Sequence, residues 1–263
     1  MNHLDTFTGI GAFTVAAKKV GIHTVGFSEI DPFAIKVLEK HFPEVPNYGD
    51  ISKLDTTPFR DFIGVDLVTG GFPCTDLSQS SKGSHKGLEG TESGLFYELA
   101  RVIHGSGCTW FVIENVPQVM KYLDKIKEEL YGYEIDGRVF EAAQFGALCR
   151  RKRAFLVGCS IPRGASSVFD LIEECYPPIQ CGGNEDVFPM CLPWKGGVSL
   201  ERLGSCIVEM PSCEETNPTG IRESDGVRRG VDGRRYLALG NSIVPRIPEV
   251  IFEAILAVNE VWE

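Results

Sequence analysis

Through the first two-thirds of the chain, short apolar runs alternate with segments of helical periodicity, and this limits the possible folds more than any other feature. "HLDTF" is strand-like and leads through "TGIGA" into the helix pattern "FTVAAKKVG". "HTVGFSEI" is the next strand, followed by the helix "PFAIKVLEKHF" with Pro32 in its first turn. A third strand is expected before "YGDIS". "VDLVTGGF" and "CTWFVIENV" are continuous apolar runs of the buried-strand type, separated by the helical "GLFYELARVIHGSG", and "RAFLVGCSI" is a further strand. Strands alternating with helices predict parallel βαβ units in an open α/β sheet covered on both faces.

From about Pro162 to Gly230 the pattern breaks into Pro, Gly, Cys and Ser, which reads as a small irregular second lobe. Order returns near the end, where Ile243, Ile247, Val250, Ile251, Ala254, Ile255 and Val258 share one helical face. The expected division is a first domain over 1–160, a small lobe over 161–235, and a helix within 236–263 packing back on the first domain. A chain of 263 residues suits one buried core with a small appendage.

No basic region followed by an apolar stretch opens the chain, and no apolar run nears the roughly 20 residues that span a bilayer. A soluble, cytoplasmic monomer is expected. The nine cysteines form no Cys-x-x-Cys pair and the histidines lack zinc-ligand spacing, so reduced thiols and no metal are expected. The net charge of −10 argues against general affinity for nucleic acid. Two basic stretches stand apart from it: Arg150, Arg151, Lys152 and Arg153, and the looser Arg222, Arg228, Arg229, Arg234 and Arg235. Either could hold a polyanion, or be a solvated face.

Ligands of open α/β sheets bind beyond the carboxyl ends of the strands. "DTFTGIGAF" places Gly9 and Gly11 there, without the third glycine of a dinucleotide fingerprint. Glu29 ends the second strand, where a carboxylate can accept ribose hydroxyls, and Asp50 could accept an adenine amino group. Each feature also fits a turn or a loop cap; the ordered set favours an adenosine-containing cofactor. Cys74 follows a Gly-Gly-Phe-Pro corner and precedes the polar "TDLSQSSKGS", an exposed setting for a thiol. Glu114 and Asn115 close the apolar "WFVI", so Glu114 is partly desolvated and its pKa raised. Arg151 and Arg153 alternate along an extended segment and can share a face.

With these residues in view, the chain resembles the DNA (cytosine-5) methyltransferases, which use S-adenosylmethionine. "DTFTGIGAF", "FSEIDPFA" and "GDI" resemble the family's cofactor motifs, and "GGFPCTDLS" its Pro-Cys nucleophile loop. "SGLFYELARVI", "FVIENVP", "FGALCRRKRAFLVG" and "ALGNSIVPRI" resemble the motifs that follow, in the family's order. The resemblance implies a Rossmann-like, mostly parallel sheet and methyl transfer to carbon 5 of a cytosine flipped out of duplex DNA. It implies Cys74 as the nucleophile, Glu114 holding the base, and Arg153 with Arg151 orienting base and loop. Its cofactor contacts fall on Phe7, Gly9, Gly11, Glu29, Ile30, Asp50, Phe72, Leu95, Asn241 and Ser242. Ile30 stands where an aromatic often stacks on adenine. Phosphate contacts are expected from Arg150, Lys152, Arg228, Arg229, Arg234 and Arg235.

Three departures qualify the match. Leu148 and Cys149 replace the usual Pro-Gln, the second lobe is short, and "DGVRRGVDGRRYLALGNS" replaces a Leu-Gln-containing motif. Two rivals are a catalytically silent DNA-binding homologue and a tRNA methyltransferase, whose Cys-Phe-Thr signature is missing from the chain. A nucleotide-dependent oxidoreductase leaves Cys74 and Glu114 unexplained.

Overall fold

The structure, a computed structural model, describes residues 1–73, 94–145, 151–162, 164–176 and 242–262. Within them, strands β1 (Asn2–Thr6), β2 (His23–Ser28), β3 (Leu67–Gly70), β4 (Trp110–Asn115), β5 (Glu134–Glu141) and β6 (Lys152–Cys159) form one open sheet. Its order is β2-β1-β3-β4-β6-β5. The first four strands are mutually parallel, whereas β6 runs antiparallel to both β4 and β5. One strand therefore opposes all the others.

The continuous apolar runs reflect a sheet buried on both faces. Leu67, Trp110, Val112, Phe155 and Val157 point into one core, and Val68, Phe111, Ile113, Ala154 and Leu156 into the other. The first core is covered by α1 (Ala12–Lys19), α5 (Gly164–Cys175) and α6 (Arg246–Trp262). The second is covered by α3 (Leu95–Ser106), α4 (Leu123–Glu129) and the short turns at Ile51–Lys53 and Phe59–Ile63. Helix α2 (Pro32–His41) and its C-cap residue pack Leu38 and Phe42 on Phe27 of β2. It starts where the sequence says it should: Asp31 accepts from the Phe33 and Ala34 amides, with Pro32 at the first position. The apolar face of α6 is buried at Ile247, Val250, Ile251, Ala254, Ile255 and Val258.

Three elements differ from the reading of the sequence. The stretch before Asp50 is no strand but an isolated parallel bridge, Phe27 to Asn47. β5 was not foreseen, because an edge strand with half-exposed polar positions carries no continuous apolar run. Gly164–Cys175, assigned to the irregular stretch, is a helix that buries Ala165, Val168, Phe169 and Ile172. At its end Tyr176 stacks on Phe145 and accepts a 2.9 Å hydrogen bond from Arg246, while Lys19 pairs with Glu249 at 2.9 Å. The chain leaves α5 and re-enters α6 at this clasp.

Candidate active site

The carboxyl ends of β1 to β4 open into a cleft of about 450 Å³. On the β1 side the backbone turns sharply, with Phe7 at φ 49°, Gly9 at 55° and Gly11 at 87°. A bulky residue in the left-handed region is strained unless its surroundings hold it there. The Gly9 amide donates to Glu29 at 2.6 Å, and the other Glu29 oxygen accepts from the Ile30 and Asp31 amides at 2.8 and 2.7 Å. One carboxylate thus ties the β1 loop to the start of α2. Gly9 and Gly11 shape this loop; they do not line the cleft, whereas Phe7, Glu29 and Ile30 do. Ile30 is 68% exposed, an apolar side chain left open beside a polar rim.

Asn47 brings the next segment in, its amide bonded to the Glu29 backbone on both sides. Asp50 lines the cleft but also caps the following turn, accepting from the Ser52 amide and hydroxyl. Those bonds hold its carboxyl below the usual range. Its second oxygen lies 3.7 Å from the Lys53 ammonium at the surface.

The opposite wall carries ionisable chemistry. Glu114 lies one residue from the end of β4, and the Arg153 guanidinium Nε sits 2.9 Å from its Oε1. The pairing depends on the reversed strand: β6 begins at the rim where β4 ends, so Arg151 and Arg153 arrive there, as Cys159 would if β6 were parallel. Burial pushes the Glu114 carboxyl up to about 6, and the positive charges of Arg153 and Arg151 restrain the rise. Gly71 makes room for this acid, since a Cβ there would lie 3.0 Å from Oε2. Asn115 is buried, donating to the Phe72 carbonyl at 3.0 Å and accepting from the Val116 amide at 2.8 Å. Phe72, Pro73 and Leu95 complete this wall.

Cys74, Arg150, Arg228, Arg229, Arg234, Arg235 and Asn241 lie outside the described residues. Ser242 donates to the Ile243 carbonyl at 3.3 Å and is not part of the cleft lining. Lys152 alternates away from Arg153 and approaches Glu141 at 3.9 Å. Sequence reasoning passed over Ser28, Gly49, Ile51, Gly71, Pro73 and Val116, which line the cleft, and gave Asn115 no role. Their common signal is position: each follows or ends a strand at the carboxyl rim or belongs to the Asn47–Ile51 turn.

Open sheets of this kind occur in methyltransferases. The Dnmt2 methyltransferase of S. pombe superposes with a TM-score of 0.51 at 20% identity, covering 70% of this chain and 58% of that one. The family model for C-5 cytosine-specific DNA methylases matches residues 1–177, and the chain belongs to that family. A Type II methyltransferase of Bacillus subtilis, M2.BsuMI, is 37% identical over 60% of this chain and 41% of its own length. The orphan methyltransferase M.SPRI of Bacillus phage SPR is 33% identical over 59% of this chain and 37% of its own. The chain thus spans about two-fifths of the curated relatives it matches.

Proposed function

We propose that this chain transfers a methyl group from S-adenosylmethionine to carbon 5 of cytosine in duplex DNA, through a covalent Cys74 adduct on a flipped-out base. The observation that carries the reading is the Glu114–Arg153 pair, half-buried in a cleft whose other wall sets the apolar Ile30 beside the Glu29 and Asp50 carboxylates. The cofactor would be held by Phe7, Glu29, Ile30, Asp50, Phe72 and Leu95, which line the cleft, with Asn241 expected beside them from the family resemblance. The exposed apolar Ile30 beside the Glu29 and Asp50 carboxylates fits an adenine carried on a ribose. When bound, the cofactor supplies an electrophilic methyl group to carbon 5.

Glu114 titrates near 6, so its protonated form is accessible near neutral pH. In that form its O–H donates to ring nitrogen 3 while the other oxygen accepts from the exocyclic amine. The Cys74 thiolate adds to carbon 6; the carbon 5–carbon 6 π pair moves toward carbon 4, and nitrogen 3 takes the Glu114 proton. Carbon 5 of the resulting enamine is the nucleophile. Methyl transfer to carbon 5 leaves the cofactor as a neutral thioether; the carbon 5 proton then passes to water, the carbon 5–carbon 6 double bond re-forms as the thiolate is expelled, and nitrogen 3 returns its proton to Glu114. Arg153, and Arg151 behind it, keep Glu114 oriented throughout. The stretch between α5 and α6 is proposed as the target-recognition lobe, and a cytoplasmic monomer belongs to the same reading.

The decisive experiment follows labelled methyl from S-adenosylmethionine into duplex DNA. Wild type should transfer it and form a covalent adduct with 5-fluorocytosine duplex, and Cys74→Ala should do neither. Tight DNA binding without an adduct would support a silent homologue, and preference for tRNA would overturn the substrate. Glu114→Gln should lower kcat by about 10²-fold or more, the scale of lost proton transfer, with cofactor affinity unchanged.

A further inference from the structure

Beneath the cofactor loop lies a buried polar chain that the proposed chemistry does not use. Asp5, His3 and Thr69 are wholly buried, and Thr14 is 2% exposed. The hydrogens of this chain can be assigned from its acceptors. Asp5 takes the Thr14 hydroxyl on Oδ2 at 2.7 Å and the Thr69 hydroxyl on Oδ1 at 2.9 Å. Having donated its one hydrogen, the Thr69 oxygen accepts from His3 Nε2 at 2.7 Å. His3 Nδ1 is then left to accept from the Thr24 hydroxyl at 3.0 Å. Donors thus run in one direction from β2 through β1 and β3 to a carboxylate on β1.

That carboxylate stands two residues before Phe7. The Asp5 carbonyl accepts the Thr8 hydroxyl at 2.7 Å, inside the loop. Gly11, at the N-cap of α1, has no side chain with which to cap the helix, and the Asp5 carboxylate reaches the first turn instead through the Thr14 hydroxyl. The Phe7–Gly11 turn is therefore held from two sides: Glu29 takes its Gly9 amide at the rim, and the Asp5 carboxylate ties the first turn of α1, just beyond it, to β1 and β3. Simple core filling would not call for a carboxylate here, since burying one without function is costly.

We infer that Asp5, braced by Thr69 and His3, is a positioning residue that pre-sets the Phe7–Gly11 loop for cofactor binding. The inference rests on the cofactor occupying the proposed cleft. A loop already in its binding conformation loses less freedom when the ligand arrives, and the saving appears as affinity. Burial pushes the Asp5 carboxyl up to about 7. The titratable groups facing it are His3, through Thr69, and Glu29 at the end of β2; α1 and β3 present the Thr14 and Thr69 hydroxyls.

Calorimetric titration of S-adenosylhomocysteine into the full chain, between pH 6 and 8, tests this. Thr14→Val should weaken binding roughly tenfold, the scale of one hydrogen bond to a charged group, and Thr14→Ser should recover it. Wild-type affinity should fall as pH is lowered through about 7, and Asp5→Asn should bind weakly with that dependence flattened. If Thr14→Val binds like wild type, or if folded Asp5→Asn keeps the full pH dependence, the positioning role is overturned while the proposed function stands. Should Asp5→Asn fail to fold, the Thr14 pair decides. If wild type binds no S-adenosylhomocysteine, the proposed function falls and this inference with it.

Discussion

His3 and Asp5 sit two residues apart on β1, both wholly buried, and burial drives them in opposite directions. His3 falls from 6.5 to about 3, so below about 6.5 the unfolded chain binds a proton that the folded one refuses. Stability from this group is lost as pH falls. Asp5 rises from 3.8 to about 7, so the folded chain keeps a proton that the unfolded one releases, and stability is lost as pH rises through that window. The two slopes oppose each other between about pH 4 and 6.5. Urea denaturation should separate them: relative to wild type, Asp5→Asn gains stability with rising pH by up to about 1.4 kcal/mol per pH unit. His3→Gln should tilt the other way. Identical slopes in Asp5→Asn and wild type would mean that Asp5 does not titrate in this range. Glu114 was legible in the sequence because an acid closing an apolar run is desolvated wherever the run is buried. Asp5 and His3 were not, since alternating polar residues read as a half-solvated strand. His3 is covered by α6, whose Phe252 ring lies 5.9 Å away, and Asp5 meets α1 and β3 through Thr14 and Thr69.

Among the elements, the β4–β6 pair both completes the sheet and brings Arg153 to Glu114. Its fit depends on Gly158, which lies opposite Phe111; an added Cβ would fall 2.0 Å from the ring. Gly158→Ala should cost about 1–3 kcal/mol through overpacking, read as a lowered thermal midpoint, and adding Phe111→Leu should recover part of it. If Gly158→Ala unfolds like wild type, the ring has room that the structure denies it. The alternation of runs and helices was enough to place β1, β2, β3, β4, β6 and the first three helices. The misses have physical causes. β5 is half-solvated at the sheet edge. The bridge at Asn47 is a single pair of backbone bonds, from Phe27 to the Pro46 carbonyl and from Tyr48 to the Phe27 carbonyl, too short to leave a strand pattern. Helix α5 carried its apolar spacing at Ala165, Val168, Phe169 and Ile172, but neighbouring prolines made the stretch read as loop.

For the molecule as a whole, a net charge of −10 repels polyanions in general, so the duplex of the proposed reaction would have to be held by local basic stretches. Duplex affinity should therefore depend steeply on salt, with a log–log slope of about −0.9 per phosphate contacted. Replacing both Arg228 and Arg229 by Ala should flatten that slope by about 2 units if each meets a phosphate. A slope left unchanged would remove the pair from the interface. The position of α6 has a further consequence, felt during synthesis. Among the described elements it is the last to be made, yet it covers the face shared by α1 and α5, whereas the opposite face closes with residues no later than Leu156. A nascent chain that has finished β6 thus has one closed face and one apolar face covered only by α1, a form open to aggregation or chaperone capture. Substitutions such as Ile251→Ala should accordingly reduce soluble yield in cells more than their equilibrium cost alone would suggest.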